Sequence, residues 1–396
     1  MRTIRRVLMF HGNDICNNTL NIFADSVAEA LRGKGIETGY VNLGCQGDEL
    51  ADEYVREINK GVDAAIAFNA YGYQETSMGG ENLFDYLGIP FFNWIVDHPC
   101  EHTENLISEL KNYHVICLDR DHVDYVKRVF PNVAGAHFIP LGGQKADGSV
   151  DFSLEAFLKR QYKITFTGSL GDIEKTGDLI RSLPSEYNKA AVSTIERMLD
   201  DRTLSYENAL RLVMNDMKID TNPDGFREYA QVLGLANSYV RHYVRDEILQ
   251  YIAASGLAID IFGSGWDDLS DLKNVNIHGT VSYAETLDIA ADSMISLNVM
   301  PLFRNGLHDR IPTSMLNGTA VASDTSVYMN EILNKDGVNA ILFDTSCVEG
   351  VPGILYEALK NPEELYEIAN RGRIFAQSNL TWGNRIDELI QILEIS

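Results

Sequence analysis

The sequence predicts an α/β chain of two doubly wound domains facing each other across a cleft, the second carrying a helical insertion. Three observations carry that expectation. The 396 residues fill two domains at roughly 100–200 residues each. Short apolar runs of strand length alternate with helix-like periodicity in two separate blocks, the pattern of parallel strands joined by crossover helices. Between the blocks, residues 141–149 break the pattern with Gly and Asp and read as a linker. Hydrophobic residues at 45% and charged residues at 23% are ordinary for a globular chain, which excludes disordered, collagen-like and disulfide-scaffold classes.

In chain order, the first block places strands at 4–10, 38–43, 64–68, 90–96, 115–118 and 137–139. Segments 20–32, 49–59 and 103–111 repeat apolar residues at helix spacing between them. The second block opens with a strand at 163–167 and resumes at 258–262. It continues through 275–278, 293–298, 320–322 and 340–343. Between its first two strands, about 173–255 has helical periodicity and almost no strand character, hence the insertion. Helices at 352–359, 362–377 and 382–395 close the chain. The expected domains are therefore 1–145, 146–380 with its insertion, and a final helix over 381–396 that crosses back to the first domain.

Charge narrows the partners. Lys plus Arg is 33 and Asp plus Glu is 57, a net charge of −24. Such a chain repels nucleic acid and anionic bilayers, so an anionic ligand must be held by a local device. The five cysteines are scattered, with no CxxC pair, which argues against a disulfide framework or structural zinc. The basic-then-apolar start has too short an apolar run for a signal peptide. No stretch approaches the ~18 apolar residues of a membrane span. A cytoplasmic protein is expected.

In doubly wound sheets, ligands bind outside the carboxyl ends of the strands. The loop after the first strand carries His11, Gly12, Asn13 and Asp14. The run Phe91 to Pro99 delivers Asp97 and His98 to a strand end, and Asp119 to His122 follow the next strand in the same way. An Asp–His pair there suits a general base or a contact to a sugar hydroxyl, against the plainer reading of a helix cap. In the second block, Gly168 and Ser169 form a turn whose exposed backbone N–H groups suit a phosphate. Gly263 and Trp266, then Val281 and Tyr283, follow two further strands and suit a flat base. The strongest signal runs from Asn298 to Asp324, where Asn305, His308, Asp309, Arg310 and Thr313 surround the start of a helix. Arginine there adds charge-assisted hydrogen bonds to the helix dipole.

These stretches together resemble the Rossmann-like nucleotide-binding domain of GT-B glycosyltransferases, and more closely the bacterial CgeB-like branch. In the second half the resemblance rests on 164–169, 261–266, 276–283, 297–300 with 306–310, 317–318 with 323–324, and 380–382. In the first half it rests on 94–99, 119–126 and 140–143. It implies a nucleotide sugar, UDP-linked, held by the second domain. The donor-binding set it suggests is Gly168, Ser169, Gly263, Trp266, Val281, Tyr283, Asn305, His308, Asp309, Arg310 and Thr313. It further implies an acceptor, a glycan or a protein Ser/Thr, on the first domain, with no tightly bound cofactor or metal. Many retaining members carry a pair of Glu residues around this helix; residues 305–313 here have none, so the stereochemical outcome stays open. Asp97 is the expected base, His98 a contact to the sugar or its phosphate, and Asp14 the reserve. The alternatives are a non-catalytic GT-B scaffold that binds a nucleotide sugar or a partner glycosyltransferase, and a nucleotide-sugar epimerase. Assembly into a homo-oligomer is left open. The insertion, with Tyr187, Tyr206, Tyr229, Tyr239 and Tyr243 exposed in charged helices, is expected to serve the acceptor or a partner rather than the donor.

Overall fold

The computed structural model describes residues 3–12, 18–74, 79–301 and 303–395. The chain divides into two compact units, Met1–Leu141 with Trp382–Ser396, and Gly142–Thr381. The strands of the first are β1 (Arg6–His11), β2 (Glu37–Asn42), β3 (Ala64–Phe68), β4 (Phe91–Ile95), β5 (Tyr113–Cys117) and β6 (Gly135–Phe138), in the order β2-β1-β3-β4-β5-β6. The second holds β7 (Tyr162–Thr167), β8 (Ile259–Phe262), β9 (Val275–Gly279), β10 (Ser293–Asn298), β11 (Ala320–Asp324) and β12 (Ile341–Phe343), in the order β12-β11-β10-β7-β8-β9. Every pairing between these strands is parallel. The expected fold class is borne out, because apolar runs such as Ala64–Phe68 and Phe91–Ile95 are buried along their whole length. Only a strand covered on both faces by helices reads that way.

The strand orders fix where loops converge. In the second sheet the chain runs outward from β7 through β8 to β9, then returns to β7's other side with β10. That reversal opens a crevice at the carboxyl ends of β7 and β10, the place where ligands of such sheets bind.

Helices Ile173–Ser182, Ser185–Asp200, Tyr206–Asp216, Pro223–Val232 and Gly234–Ala254 form the insertion between β7 and β8. Its tyrosines are not the exposed set the sequence suggests. Tyr206 is 2% and Tyr229 7% exposed. Their hydroxyls donate to the Ala230 carbonyl and the Glu186 carboxylate. The rings pack the insertion's own core, and the phenol oxygens find partners, as buried tyrosines must. Tyr187 lies against Tyr229, and Tyr239 stacks on Tyr243.

The closing helix Trp382–Ile395 belongs to the first unit, where Trp382 meets the rings of Phe23 and Trp94. The segment after Leu141 is stitched to the second unit. Gly143 N–H donates to the Leu380 carbonyl, Gln144 N–H to the Thr313 hydroxyl and Ala146 N–H to the Asn317 amide oxygen.

Candidate functional site

The floor of the second unit's crevice is built from two loops locked together. After β7, the N–H groups of Gly168 and Leu170 donate to the carbonyls of Phe262 and Ser264, the loop after β8. Gly171 N–H donates to Nδ1 of His242 at 3.0 Å. Trp266 donates its indole N–H to the Gly168 carbonyl at 2.8 Å. Neither glycine of the second loop has room for a side chain: a Cβ on Gly263 would lie 2.3 Å from the Gly168 carbonyl oxygen, and one on Gly265, at φ +85°, 2.2 Å from that of Leu170. The expected cradle of exposed N–H groups is therefore corrected. Of the donors at 168–171, the loop spends three on its neighbours, leaving that of Ser169. Trp266 is 1% exposed and braces the floor, so it offers no face to a base. Gly263 is committed to loop packing.

Above this floor the structure gathers positive charge. Helix Arg310–Leu316 starts after the loop that follows β10, and the Arg310 guanidinium lies beside Gly168. Its Nη1 is buried without a hydrogen-bond partner among the described residues. Arg245 and Arg241 come from helix Gly234–Ala254, the last of the insertion, where a spacing of four puts them on one face. Arg245 is 9% exposed and donates Nε to the Val299 carbonyl, just past β10. Burial first, then Arg310 and Arg241, bring its guanidinium down to about 9, against the pull of Asp324. Arg241 Nε is buried without a hydrogen-bond partner among the described residues, and its Nη2 lies 3.4 Å from His242 Nε2. Arg304 reaches toward Asp324, the last residue of β11, at 3.9 Å. Burial raises the Asp324 carboxyl to about 6, in spite of Arg304, the Met300 N–H and Arg245. Four guanidinium groups thus stand near the carboxylates of Asp309 and Asp324, and Arg304 also acts on Asp201. Burial and its arginine neighbours lower His242 to about 4, so it is neutral at pH 7, as its acceptor role toward Gly171 requires.

The remaining residues expected at the donor sort as follows. His308 places Nδ1 2.7 Å from the Asp309 carboxylate and 3.3 Å from the Arg310 backbone nitrogen. Burial pushes Asp309 up, but His308 and Arg310 outweigh it and hold the carboxyl below its ordinary range. Burial and Asp309 raise the Tyr283 phenol well above its ordinary value, which places that ring in the same cluster. The Thr313 hydroxyl accepts from the Gln144 N–H and also meets the Tyr283 phenol, tying the linker to this cluster. Val281 and Asn305 are half-buried. The sequence reading singles out Arg310 and does not name Arg241, His242 or Arg245. It expects the insertion to serve the acceptor or a partner; in the structure the insertion's last helix hydrogen-bonds residues that follow β7 and β10.

In the first unit, Asp97 follows β4 with its side chain 42% exposed, accepts from the Asn69 amide at 3.1 Å and lies 3.6 Å from His102 Nε2. His98 is corrected: it is 1% exposed, its Nδ1 accepts from the Cys100 N–H, and its ring packs on His122 and Tyr125. It caps the 3₁₀ turn Pro99–His102 and is sealed from ligand. Asp14 lies outside the described residues. Among the described residues, no group of three His, Cys, Asp or Glu is placed to hold a metal ion, and no helix is long and apolar enough to cross a membrane.

Residues 241–391 match a family model described as glycosyl transferase-like. Over those residues the chain is similar to that family, and its fold is the GT-B fold. The fold is shown by a glycosyltransferase from Rickettsia africae ESF-5, at 9% identity and a TM-score of 0.51 over 100% of this chain and 99% of that one. Anabaena Alr3699/HepE, solved in complex with UDP, matches at 10% identity and a TM-score of 0.51 over 99% and 100% of the two chains. No curated protein matches. The glycosyl transferase-like match begins at Arg241 and so takes in both insertion-borne arginines together with Arg310.

Proposed function

We propose that this glycosyltransferase moves a sugar from a UDP-sugar to a hydroxyl of a glycan or of a protein Ser/Thr. The observation that carries the reading is the arginine cluster at the carboxyl ends of β7 and β10. It concentrates positive charge at one buried point of a chain whose net charge is −24. A diphosphate supplies the negative charge this point lacks. The UDP and UDP-glucose bound by Anabaena Alr3699/HepE, a chain of the same fold, support uridine as the base.

Sugar transfer leaves a nucleoside diphosphate, so negative charge grows on the leaving phosphate. Arg310 and its neighbours are fixed donors aimed where that charge develops, which lowers the barrier without reorganisation. The same arginines do the work of a divalent cation, and the reaction is proposed to run without a metal. The acceptor hydroxyl must lose a proton, and Asp97 is the partly exposed carboxylate proposed to take it. His98 has no part in this chemistry.

The test is calorimetry of UDP binding in the presence of EDTA. The reading expects binding that EDTA leaves unchanged and that Arg310→Ala weakens; UDP that binds only with added divalent cation contradicts it. For the base, Asp97→Asn keeps shape and removes basicity. Turnover is expected to fall by ~10²–10⁴ with UDP affinity preserved, and near-normal turnover removes Asp97 from the mechanism.

A further inference from the structure

We propose that Asn69 and His102 are positioning residues for Asp97, and that the turn after β3 is held in a strained shape because it presents Asn69 to that carboxylate. The inference rests on the proposed reading of Asp97 as the base, and it assigns two residues and a backbone device that the reading alone does not require. All of them lie in the first unit.

The turn comes first. Asn69 has φ +49° and Ala70 φ +64°. Left-handed backbone is disfavoured for a residue with a Cβ, and glycine would adopt it without strain. Among the described residues, these are the only two non-glycine residues of positive φ that adjoin in sequence. Such strain persists only where the surroundings over-determine it. Here Asn69 N–H donates to the Trp94 carbonyl at 3.0 Å, and Ala70 N–H donates to Oδ1 of Asn93 at 2.7 Å. Asn93 is wholly buried and donates its amide to the Tyr113 hydroxyl. The turn is thereby locked to β4.

The side chain at 69 shows what a glycine there would lose. Its Oδ1 accepts from the Val96 N–H at 3.1 Å, and its Nδ2 donates to Oδ2 of Asp97 at 3.1 Å. One planar amide thus fixes both the backbone that leads into Asp97 and the carboxylate itself. Asparagine combines a donor and an acceptor with tolerance of the left-handed region.

His102 faces the same oxygen. Its Nε2 is buried, has no hydrogen-bond partner among the described residues and lies 3.6 Å from Asp97 Oδ2. Its side chain is 13% exposed against 42% for Asp97, so the carboxylate meets solvent and the imidazole stands behind it. The gap is too long for a hydrogen bond, and catalytic contacts of this kind tighten when substrate binds. The 3₁₀ turn Pro99–His102 that carries the ring is capped by His98, and the Thr103 hydroxyl donates to its Cys100 carbonyl. Donors gathered on a carboxylate favour its ionised form, the form that accepts a proton, and limit its rotation.

The test separates aim from support. Asn69→Asp keeps the acceptor for the Val96 N–H and the tolerance of left-handed backbone, but sets a second carboxylate where the donor was. His102→Leu removes the imidazole. The Asp97 carboxyl is titrated by NMR in the full chain carrying carbon-13-labelled aspartate, its signal identified by its absence from Asp97→Asn. UDP release from a panel of UDP-sugars, with hydroxyl acceptors supplied, is measured against pH on the same chains. Both substitutions are expected to raise the pH at which Asp97 titrates, Asn69→Asp by about one unit or more, and to move the acidic limb of kcat/KM upward with it. UDP affinity is expected to stay unchanged, as is the melting temperature of Asn69→Asp. If neither substitution moves the titration or the limb, the residues are structural and the inference is overturned, while loss of turnover in Asp97→Asn leaves the base standing. A shift under only one substitution overturns the role of the other residue. A titration that moves without the limb strikes Asp97 as base, and the positioning role falls with it. No UDP release by the wild type overturns both.

Discussion

Arg310 shows what one residue can and cannot disclose. Its place after a polar loop, at the start of a helix beside a strand end, is legible because those features are local. The structure adds a buried Nη1 with no hydrogen-bond partner among the described residues. Arg310→Ala is expected to weaken UDP binding by roughly 1.5–3 kcal/mol, about 10- to 150-fold, with little change in folding. Arg310→Lys should restore only part, since a point charge cannot copy a two-pronged fork. Calorimetry with UDP checks both. Arg241 and Arg245 were illegible for a different reason. They sit some seventy residues past the loop they face, on a helix buried on several sides, and nothing in a sequence says which strand end a distant helix crosses. The Asp97–His98 pair misled because a His directly after a strand and before Pro is equally a cap, and only burial decides between the two. Asp324 gives a pH signature. Its carboxyl is raised on folding from 3.8 to about 6, so the folded state holds that proton more tightly. The stability it contributes is full below about pH 4 and is lost as pH rises toward 6, at most about 3 kcal/mol. Asp324→Asn should flatten that part of the stability–pH profile, measured by urea unfolding. An unchanged slope between pH 4 and 6 contradicts the assignment.

At the scale of elements, all twelve described strands lie within about two residues of their expected positions. A run like Ala64–Phe68 carries its own signature, whereas short helices such as Leu83–Leu87 and Leu154–Leu158 are too brief to show a period. The helix expected over 103–111 stops at Leu106 because the chain beyond it is tied elsewhere. Leu110 N–H goes to the Ser108 hydroxyl and Lys111 N–H to the Asp85 carboxylate. Loop packing yields a prediction of its own. Gly263→Ala forces a Cβ to within 2.3 Å of the Gly168 carbonyl oxygen, with backbone rather than a flexible side chain in the way. The floor must shift, at a cost of about 1–3 kcal/mol, and UDP affinity should fall with stability. Asn317 is a second such point. It is 1% exposed, accepts from Ala146 N–H and donates to the carbonyls of Gln144 and Thr313. Asn317→Ala strands these groups and should destabilise the second unit by about 2–3 kcal/mol, read as a lower urea midpoint.

For the whole molecule, the division into units makes a prediction that no single site makes. The second unit is one continuous stretch, while the first is completed by the helix after Thr381. Trp382, Ile386, Leu389 and Leu393 are buried there against the first unit. A chain ended after Thr381 should lose that apolar cover, at several kcal/mol, and leave the first unit open to protease. UDP binding by the second unit should persist, and its loss in the shortened chain contradicts a donor site built from that unit alone. The composition of the chain bears on catalysis as well. With a net charge of −24, no general attraction draws a nucleotide sugar in, so the arginine cluster must account for both affinity and rate. The central claim is that the cluster serves sugar transfer. Its most direct test is the release of UDP from a panel of UDP-sugars by the wild type and Arg310→Ala, with EDTA present. The account predicts steady UDP release from at least one UDP-sugar by the wild type, lowered at least tenfold in kcat/KM by the substitution. No release from any UDP-sugar, with hydroxyl acceptors supplied, or release that Arg310→Ala leaves unchanged, contradicts it.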